Sequence, residues 1–490
     1  MTSSSSLVES SEGNTDRSTN TNVSLEASQS VETVKVNPQV HPDCPYLYKI
    51  PEGLHRYYQP LSVPVQAITL LVAAWVAAVS TWTRLAWWQP LSILRGFHSA
   101  PSPVKLASFA MNVMTYFLLT HMVLQEVIAR PSRISTETLL QKYFLPSKFS
   151  KYRTIDIPGM DEDEAPFSLG VHFLEYQHAH VKNTTNEHRF DALYLQHGFG
   201  ASSLSWLPVI PSLVHRLNAR VGLAHDAVGF GFTDRPSNQK WYTSKQSARI
   251  AHQVMRHQQQ SDAEAGKRKA VALMGHSMGS LAMLRLATQL PAETFKFIIL
   301  CSPALGINNR KVPPQKRDRL SWIRRNVVSP VGRKAQQTVL VPVAKYLLRR
   351  IIGTNGSWKT GLKAAWGDPA KVTDGDVLRF SWPAIGLGWE EGILRFASAQ
   401  AMQQEDELDN DNTLMQRVLE LPNTKVAIIL GSRDRVVTSN QVRRFMKVAD
   451  PNGKVKMIEL DGLGHDAFEE DEQTFCRTVD ELLASVGGQH

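Results

Sequence analysis

Cysteine is scarce in this chain: Cys44, Cys301 and Cys476 are the only three in 490 residues. Their scattered spacing excludes a disulfide framework and a thiolate metal cluster, and points to free thiols in a reducing compartment. Histidines are spread out as well. His225, His252 and His257 lack ligand-like spacing, so no metal is expected. No glycine-rich nucleotide loop is present, and no cofactor is expected. The first thirty residues hold no apolar run, which excludes an ordinary cleaved signal peptide. Five acidic residues among 1–40 argue against a mitochondrial transit peptide. No internal repeat is visible. No nucleic-acid module accompanies the basic charge, so a nucleic-acid partner is not expected.

What is present begins with a Ser/Thr-rich stretch, residues 1–45, with little to pack; it reads as a disordered tail. Residues 57–130 read as a membrane region with one or two hydrophobic helices. From Tyr57 to Thr83 there is no Asp, Glu, Lys or Arg, and "VPVQAITLLVAAWVAAVSTW" is long enough to span the hydrocarbon layer. Tyr57, Tyr58, Trp82, Trp87 and Trp88 flank it as an aromatic belt would. A second uncharged stretch, Leu106–Gln125, is interrupted by Asn112, Thr115, Thr120 and His121; spanning, lying in the interface and packing on the globular part all remain open. A hairpin of two spans would put both ends on one basic side, with the remaining domain facing the cytoplasm.

The rest alternates strands and helices. "GVHFLEYQHAH", "DALYLQ", "RVGLAHD", "KAVALMG", "KFIILCSP", "KVAIILGS" and "KVKMIEL" are near-continuous aliphatic runs, as parallel strands buried on both faces should be. Helical patterns such as "SLAMLRLATQL" and "TFCRTVDELLASV" separate or follow them, giving an α/β layered fold. Residues 150–304 and 425–490 read as the two parts of one core. The intervening 305–424 is too long for a loop and reads as an inserted, basic, helical cap. Residues 310–359 hold thirteen basic residues and one acid. In "VPVAKYLLRRIIG", Lys345, Arg349 and Arg350 are placed to meet lipid phosphates while Leu347, Leu348, Ile351 and Ile352 enter the headgroup layer; Trp322, between Arg319 and Arg324, has similar character. The acidic run Glu405–Asp411 reads as a solvated loop.

The strand "VALM" breaks at Gly275-His276-Ser277-Met278-Gly279 and a helix follows. Gly-x-Ser-x-Gly between strand and helix is a nucleophile elbow: small neighbours let strand, turn and helix approach closely, and the turn lifts the serine hydroxyl clear. A serine needs a base, and the base needs an orienting acid. Asp434, after one late strand, and His465, after the next, supply them in the order serine, acid, histidine. The loop His197-Gly198-Phe199-Gly200 follows an earlier strand. The backbone N–H groups of Phe199 and Met278 are the expected oxyanion hole, and His197 the residue that fixes the loop. Asp461 and Asp466 lie too close to His465 in sequence to orient its ring. Asp226 and Asp234 read as structural, with Phe230 or Phe232 lining the pocket.

These motifs ("HGFG", "HDAVGFGFTDRP", "GHSMGS", "GSRDRVV" and "DGLGHDAF") resemble the α/β-hydrolase fold family, in the branch of epoxide hydrolases, haloalkane dehalogenases, monoacylglycerol lipases and related esterases. The resemblance implies a mostly parallel eight-stranded sheet flanked by helices, a cap inserted after the sixth strand, and no cofactor. The first two of those enzymes carry an aspartate at the elbow; Ser277 implies acyl transfer instead. Some relatives that handle lysophospholipids carry His-x-x-x-x-Asp, where this chain has Glu470. The reading is a membrane-bound serine hydrolase that cleaves a lipid or other hydrophobic ester through an acyl-enzyme. The alternatives are a lipid acyltransferase with the same triad and a non-catalytic hydrolase-like scaffold.

Overall fold

The computed structural model describes residues 39–51, 54, 61–88, 103–128, 134–159, 165–178, 188–260, 270–306, 341–352, 354–402 and 410–487. Val40–His41 (β1) and Cys44–Tyr48 (β2) form a small antiparallel ribbon. It does not belong to a tail: Cys44 and Leu47 are buried in the core, and the Trp382 indole N–H donates to the Tyr48 carbonyl at 2.9 Å. The remainder of the expected tail, and the segment around Trp322, lie outside the described residues.

Two long helices follow, α1 (Val63–Trp88) and α2 (Pro103–Ile128), packed on each other. Among the described residues no helix is long and apolar enough to cross a membrane. The expected span is not shown; the two helices lie against each other. Polar side chains interrupt both helices: the buried Thr69 and the exposed Thr115 hydroxyls donate to carbonyls of their own helices. His121 Nδ1 meets Tyr346 Oη of the cap at 2.6 Å. The outward faces are apolar, with Ile68, Leu71, Trp75, Met111, Met114 and Val123 exposed. Tyr57 and Tyr58 lie outside the described residues.

After α3 (Thr136–Lys142), the central sheet is built from β3 (Ser150–Ile157), β4 (Phe167–Gln177), β5 (Ala192–Gln196), β6 (Val221–His225), β7 (Ala270–His276), β8 (Phe295–Cys301), β9 (Thr424–Gly431) and β10 (Lys456–Leu460). The order is β10-β9-β8-β7-β5-β6-β4-β3, with β3 and β4 antiparallel to their neighbours and the rest parallel. The helices α4 (Ile210–Arg216), α5 (Ser244–Gln260) and α6 (Gly279–Gln289) lie in the first half of the core. The helices α7 (Val341–Ile352), α8 (Asn355–Ala365), α9 (Asp374–Ser381), α10 (Trp389–Met402) and α11 (Asp411–Glu420) stand between β8 and β9. The last three are α12 (Ser439–Ala449), α13 (Ala467–Glu470) and α14 (Glu472–Gly487).

The strands are apolar at successive positions because each residue enters the opposite layer. Leu273, Ile298 and Leu300 join Val254, Met283 and Leu286 on the α5/α6 side. Met274, Phe297 and Ile299 join Leu213, Phe475 and Val479 on the α4/α14 side. The parallel strands therefore end on one edge of the sheet, where ligand chemistry collects in such folds.

The cap departs from expectation in two ways. Lys345 is paired with Glu391 at 2.7 Å and Arg349 with Glu390, both acids in the first turn of α10, so neither cation stands open to a lipid phosphate. Asp411 is buried rather than solvated, with its Oδ2 accepting the Gly306 N–H at 2.7 Å.

Candidate active site

Strand β7 ends at His276 and α6 begins at Gly279, so Ser277 and Met278 alone make the turn. Ser277 has φ +50°, a conformation costly for a residue with a side chain. Its backbone is pinned on both sides: the N–H donates to the Cys301 carbonyl at 2.9 Å, and its carbonyl accepts from Ser280 and Ala304, each at 3.1 Å. The flanking glycines are required by close approach. A Cβ on Gly275 would lie 2.6 Å from Ser280 Cα, and one on Gly279 2.5 Å from the Gln196 carbonyl oxygen.

The loops after β9 and β10 bring Asp434 and His465 together, with His465 Nδ1 donating to Asp434 Oδ2 at 2.8 Å. The other carboxylate oxygen accepts from the Val436 and Val437 N–H groups, both at 2.8 Å, which fixes the acid. His465 reaches the elbow through Ser277's neighbour. The His276 ring lies 4.6 Å from the His465 ring, and His276 Nε2 donates to the His465 carbonyl at 3.1 Å. Burial drives the His276 imidazole well below its usual range and keeps it neutral. Burial also acts to lower His465, but the Asp434 hydrogen bond and the nearby Asp466 and Asp434 charges outweigh it and leave that ring raised. Ser277, Asp434 and His465 are all buried. Among the described residues no hydrogen bond engages the Ser277 hydroxyl; such contacts often tighten only when substrate arrives.

The loop His197–Gly200 takes the expected place. His197 Nε2 accepts the Ala227 N–H at 2.9 Å, so Nδ1 carries the proton and donates to the Gly198 carbonyl at 2.8 Å. Burial lowers this imidazole, consistent with a neutral structural brace. Gly198 backs directly onto His276 and Ser277, and Gly200 has φ +77°. Among the described residues neither the Phe199 nor the Met278 backbone N–H has an acceptor, and both residues border a cavity of about 310 Å³. Trp241, Leu281 and the cap residue Phe396 also line it. Two unengaged N–H groups beside a serine at a helix N-terminus are suited to stabilise developing negative charge on oxygen.

Asp226 is structural, as expected. Burial alone would raise its carboxyl, but His172 and the Ser203 and Phe232 N–H donors hold it well below the usual range. Asp234 accepts from the Tyr152 hydroxyl at 2.6 Å. Phe230 packs against Phe199 and Phe396, whereas Phe232 is wholly buried in the core. Asp466 sits 3.5 Å from His276 Nε2, and Asp461 meets Ser432; neither contacts the His465 ring nitrogens. Among the described residues no cluster of His, Cys, Asp or Glu is arranged to hold a metal ion.

Glu470 has a part that its sequence position did not reveal. Its carboxylate accepts three backbone N–H groups: Gly464 at 2.8 Å, Gly367 at 2.9 Å and Asp368 at 2.7 Å. The His465 N–H also donates to the Ala365 carbonyl at 2.7 Å. The loop carrying His465 is thus sewn to a turn of the cap. Only the Gly464 bond is local; the cap partners lie a hundred residues away. Replacing Glu470 with Ala leaves two buried donors and one half-buried donor without an acceptor, and stability should fall by about 2–4 kcal/mol in urea unfolding. Gly279→Val should lower it by about 1–3 kcal/mol through overlap with backbone.

Residues 193–478 match the model of the Alpha/beta hydrolase family. Among solved structures, the chain is 18% identical to a serine hydrolase involved in carbazole degradation, over 68% of this chain and 99% of that one, with a TM-score of 0.44. It is 15% identical to the Cif epoxide hydrolase from Acinetobacter nosocomialis, over 69% and 91%, TM-score 0.47. It is 16% identical to a membrane phospholipase A, over 79% and 97%, TM-score 0.42. No curated protein sequence matches the chain. Since the family match takes in more than half of its length, the chain belongs to the Alpha/beta hydrolase family.

Proposed function

We propose that this hydrolase is a serine esterase that cleaves hydrophobic, lipid-like carboxylic esters through an acyl-enzyme. The observation that carries the reading is the Asp434–His465 hydrogen bond beside a serine held at φ +50° on the elbow. With Nδ1 committed to Asp434, the lone pair of His465 Nε2 is the base. It takes the Ser277 hydroxyl proton as Oγ attacks the ester carbonyl. The resulting oxyanion is met by the Phe199 and Met278 N–H groups. Collapse expels the alcohol, which receives the proton from His465. Water, deprotonated by the same ring, then attacks the acyl carbonyl and releases the acid and Ser277.

The apolar walls of the cavity support a hydrophobic acyl group. The exposed apolar faces of α1 and α2 support attachment to a lipid surface by lying in it; each large apolar side chain withdrawn from water contributes up to about 1.5–3 kcal/mol.

Four measurements test this. A fluorophosphonate probe should label the protein and fail to label Ser277→Ala. The base must be neutral to act, and His465 is raised, so kcat/KM should climb with pH through a midpoint above about 6.5. Asp434→Asn should cut kcat by about 10⁴ and move that midpoint down. Neutral phosphatidylcholine vesicles should float with the protein, and substituting Leu71, Trp75, Met111 and Met114 together with Ser should release it. Failure of probe labelling would sink the esterase reading; failure of flotation would sink only the membrane attachment.

A further inference from the structure

One buried acid beside the catalytic pair has no task in the proposed hydrolysis. Asp466 follows His465 in the chain and is 5% exposed. It stands at the head of α13, yet its side chain makes no capping hydrogen bond there. Among the described residues its carboxylate accepts no hydrogen bond, and the one basic side-chain nitrogen within 4 Å of it is His276 Nε2, at 3.5 Å.

The groups around Asp466 leave its charge unbalanced. His276, on the elbow, is neutral, and its hydrogen is directed to the His465 carbonyl at 3.1 Å. His197, next to His276, is neutral as well. Arg379 of the cap helix α9 is already paired with Asp376 at 3.0 Å and with Glu469. Glu470 commits its carboxylate to three backbone N–H groups. Asp434 is a second carboxylate, bonded to His465 Nδ1. A buried charge without a counter-ion is costly. Burial raises the Asp466 carboxyl, and a charged His465 is the largest influence drawing it back. Conversely, burial lowers His465, while the Asp434 hydrogen bond and the Asp466 charge raise it.

The missing cation exists for part of each catalytic cycle. When Ser277 Oγ gives its proton to His465 Nε2, the ring becomes imidazolium. We propose that Asp466 is a positioning residue of the reaction, a buried anion held beside His465 and balanced only while that ring carries the serine proton. Its carboxylate takes up no proton and touches no substrate. It favours the charged transition state over the resting enzyme, as preorganised charge does in water-poor sites. The inference rests on the esterase reading of Ser277.

Asp466→Asn keeps the shape of the side chain and removes its charge. In the full chain, with histidines ¹³C-labelled at Cε1 and the His465 signal assigned by its loss in His465→Gln, the titration midpoint of His465 should move down. The sign follows from the charge: an anion favours imidazolium, so without it the ring loses its proton at lower pH. On the alkaline plateau, kcat for a p-nitrophenyl ester should fall about tenfold with KM unchanged. The rising limb of kcat/KM should shift to lower pH along with the NMR midpoint. Asp466→Ser should behave alike, so that a folding failure in one variant leaves the other to read. An unmoved His465 midpoint overturns the proposal even if kcat falls, because the residue is then merely structural. A midpoint that moves while kcat stays unchanged overturns it too. If the wild type cleaves no ester, the esterase reading fails separately, and the NMR titration still decides: a lowered midpoint upholds Asp466 as the counter-ion of the ring, and an unmoved one overturns it.

Discussion

The left-handed turn at Ser277 constrains nearly everything around it. A non-glycine residue at φ +50° costs on the order of 1–3 kcal/mol and persists only where its surroundings over-determine it. Here the determinants come from three strands. Cys301 at the end of β8 takes the Ser277 N–H, the Gln196 carbonyl of β5 abuts Gly279, and Gly275 of β7 leaves room for the first turn of α6. Parallel register places Gln196 beside Gly275 and His276 beside Cys301, so the sheet itself sets the position of the hydroxyl. Among the described residues the Met278 N–H has no backbone acceptor.

The second half of the site is joined to the cap as firmly as to the sheet. Asp434 holds His465, but the backbone of His465 is bonded to Ala365, and Glu470 grips both Gly464 and the turn at Gly367 and Asp368. Arg379 of α9 adds ion pairs to Asp376 and to the buried Glu469. Two segments of a long insertion therefore act on the site in different ways. The turn at Ala365–Asp368 braces the histidine, while Phe396 on α10 supplies a wall of the cavity. Movement of the bracing turn would be felt at the imidazole, whereas movement of α10 would alter only the room for substrate.

Much of this was legible in the residues. The seven aliphatic runs became β4 to β10; β5 to β8 are buried on both faces and leave no polar alternation to confuse them, whereas β4 is antiparallel rather than parallel and β10 is a half-exposed edge strand. The turn at Ser277, the Asp434–His465 pair and the His197–Gly200 loop could be located because each is a local motif at a strand end. What escaped detection was non-local. Strand β3 was missed since Lys151, Arg153 and Asp156 give it a mixed, exposed face. Glu470 showed its sequence spacing but not its cap partners. Lys345 and Arg349 looked like free cations until folding set Glu391 and Glu390 against them. The apolar run around Val72 suggested a span, yet α1 packs along α2 and the described residues supply no crossing helix.

Strand β3 has a consequence of its own. It closes one end of the sheet, pairing with β4 on one side and, among the described residues, with no strand on the other. An open row of main-chain donors and acceptors invites a second molecule to dock edge to edge and begin a fibrillar stack. The charges of Lys151, Arg153 and Asp156 stand along that row, and Arg153 is further occupied with His257 at 2.9 Å. The polarity that hid this strand from pattern reading is what keeps neighbouring copies from zipping together.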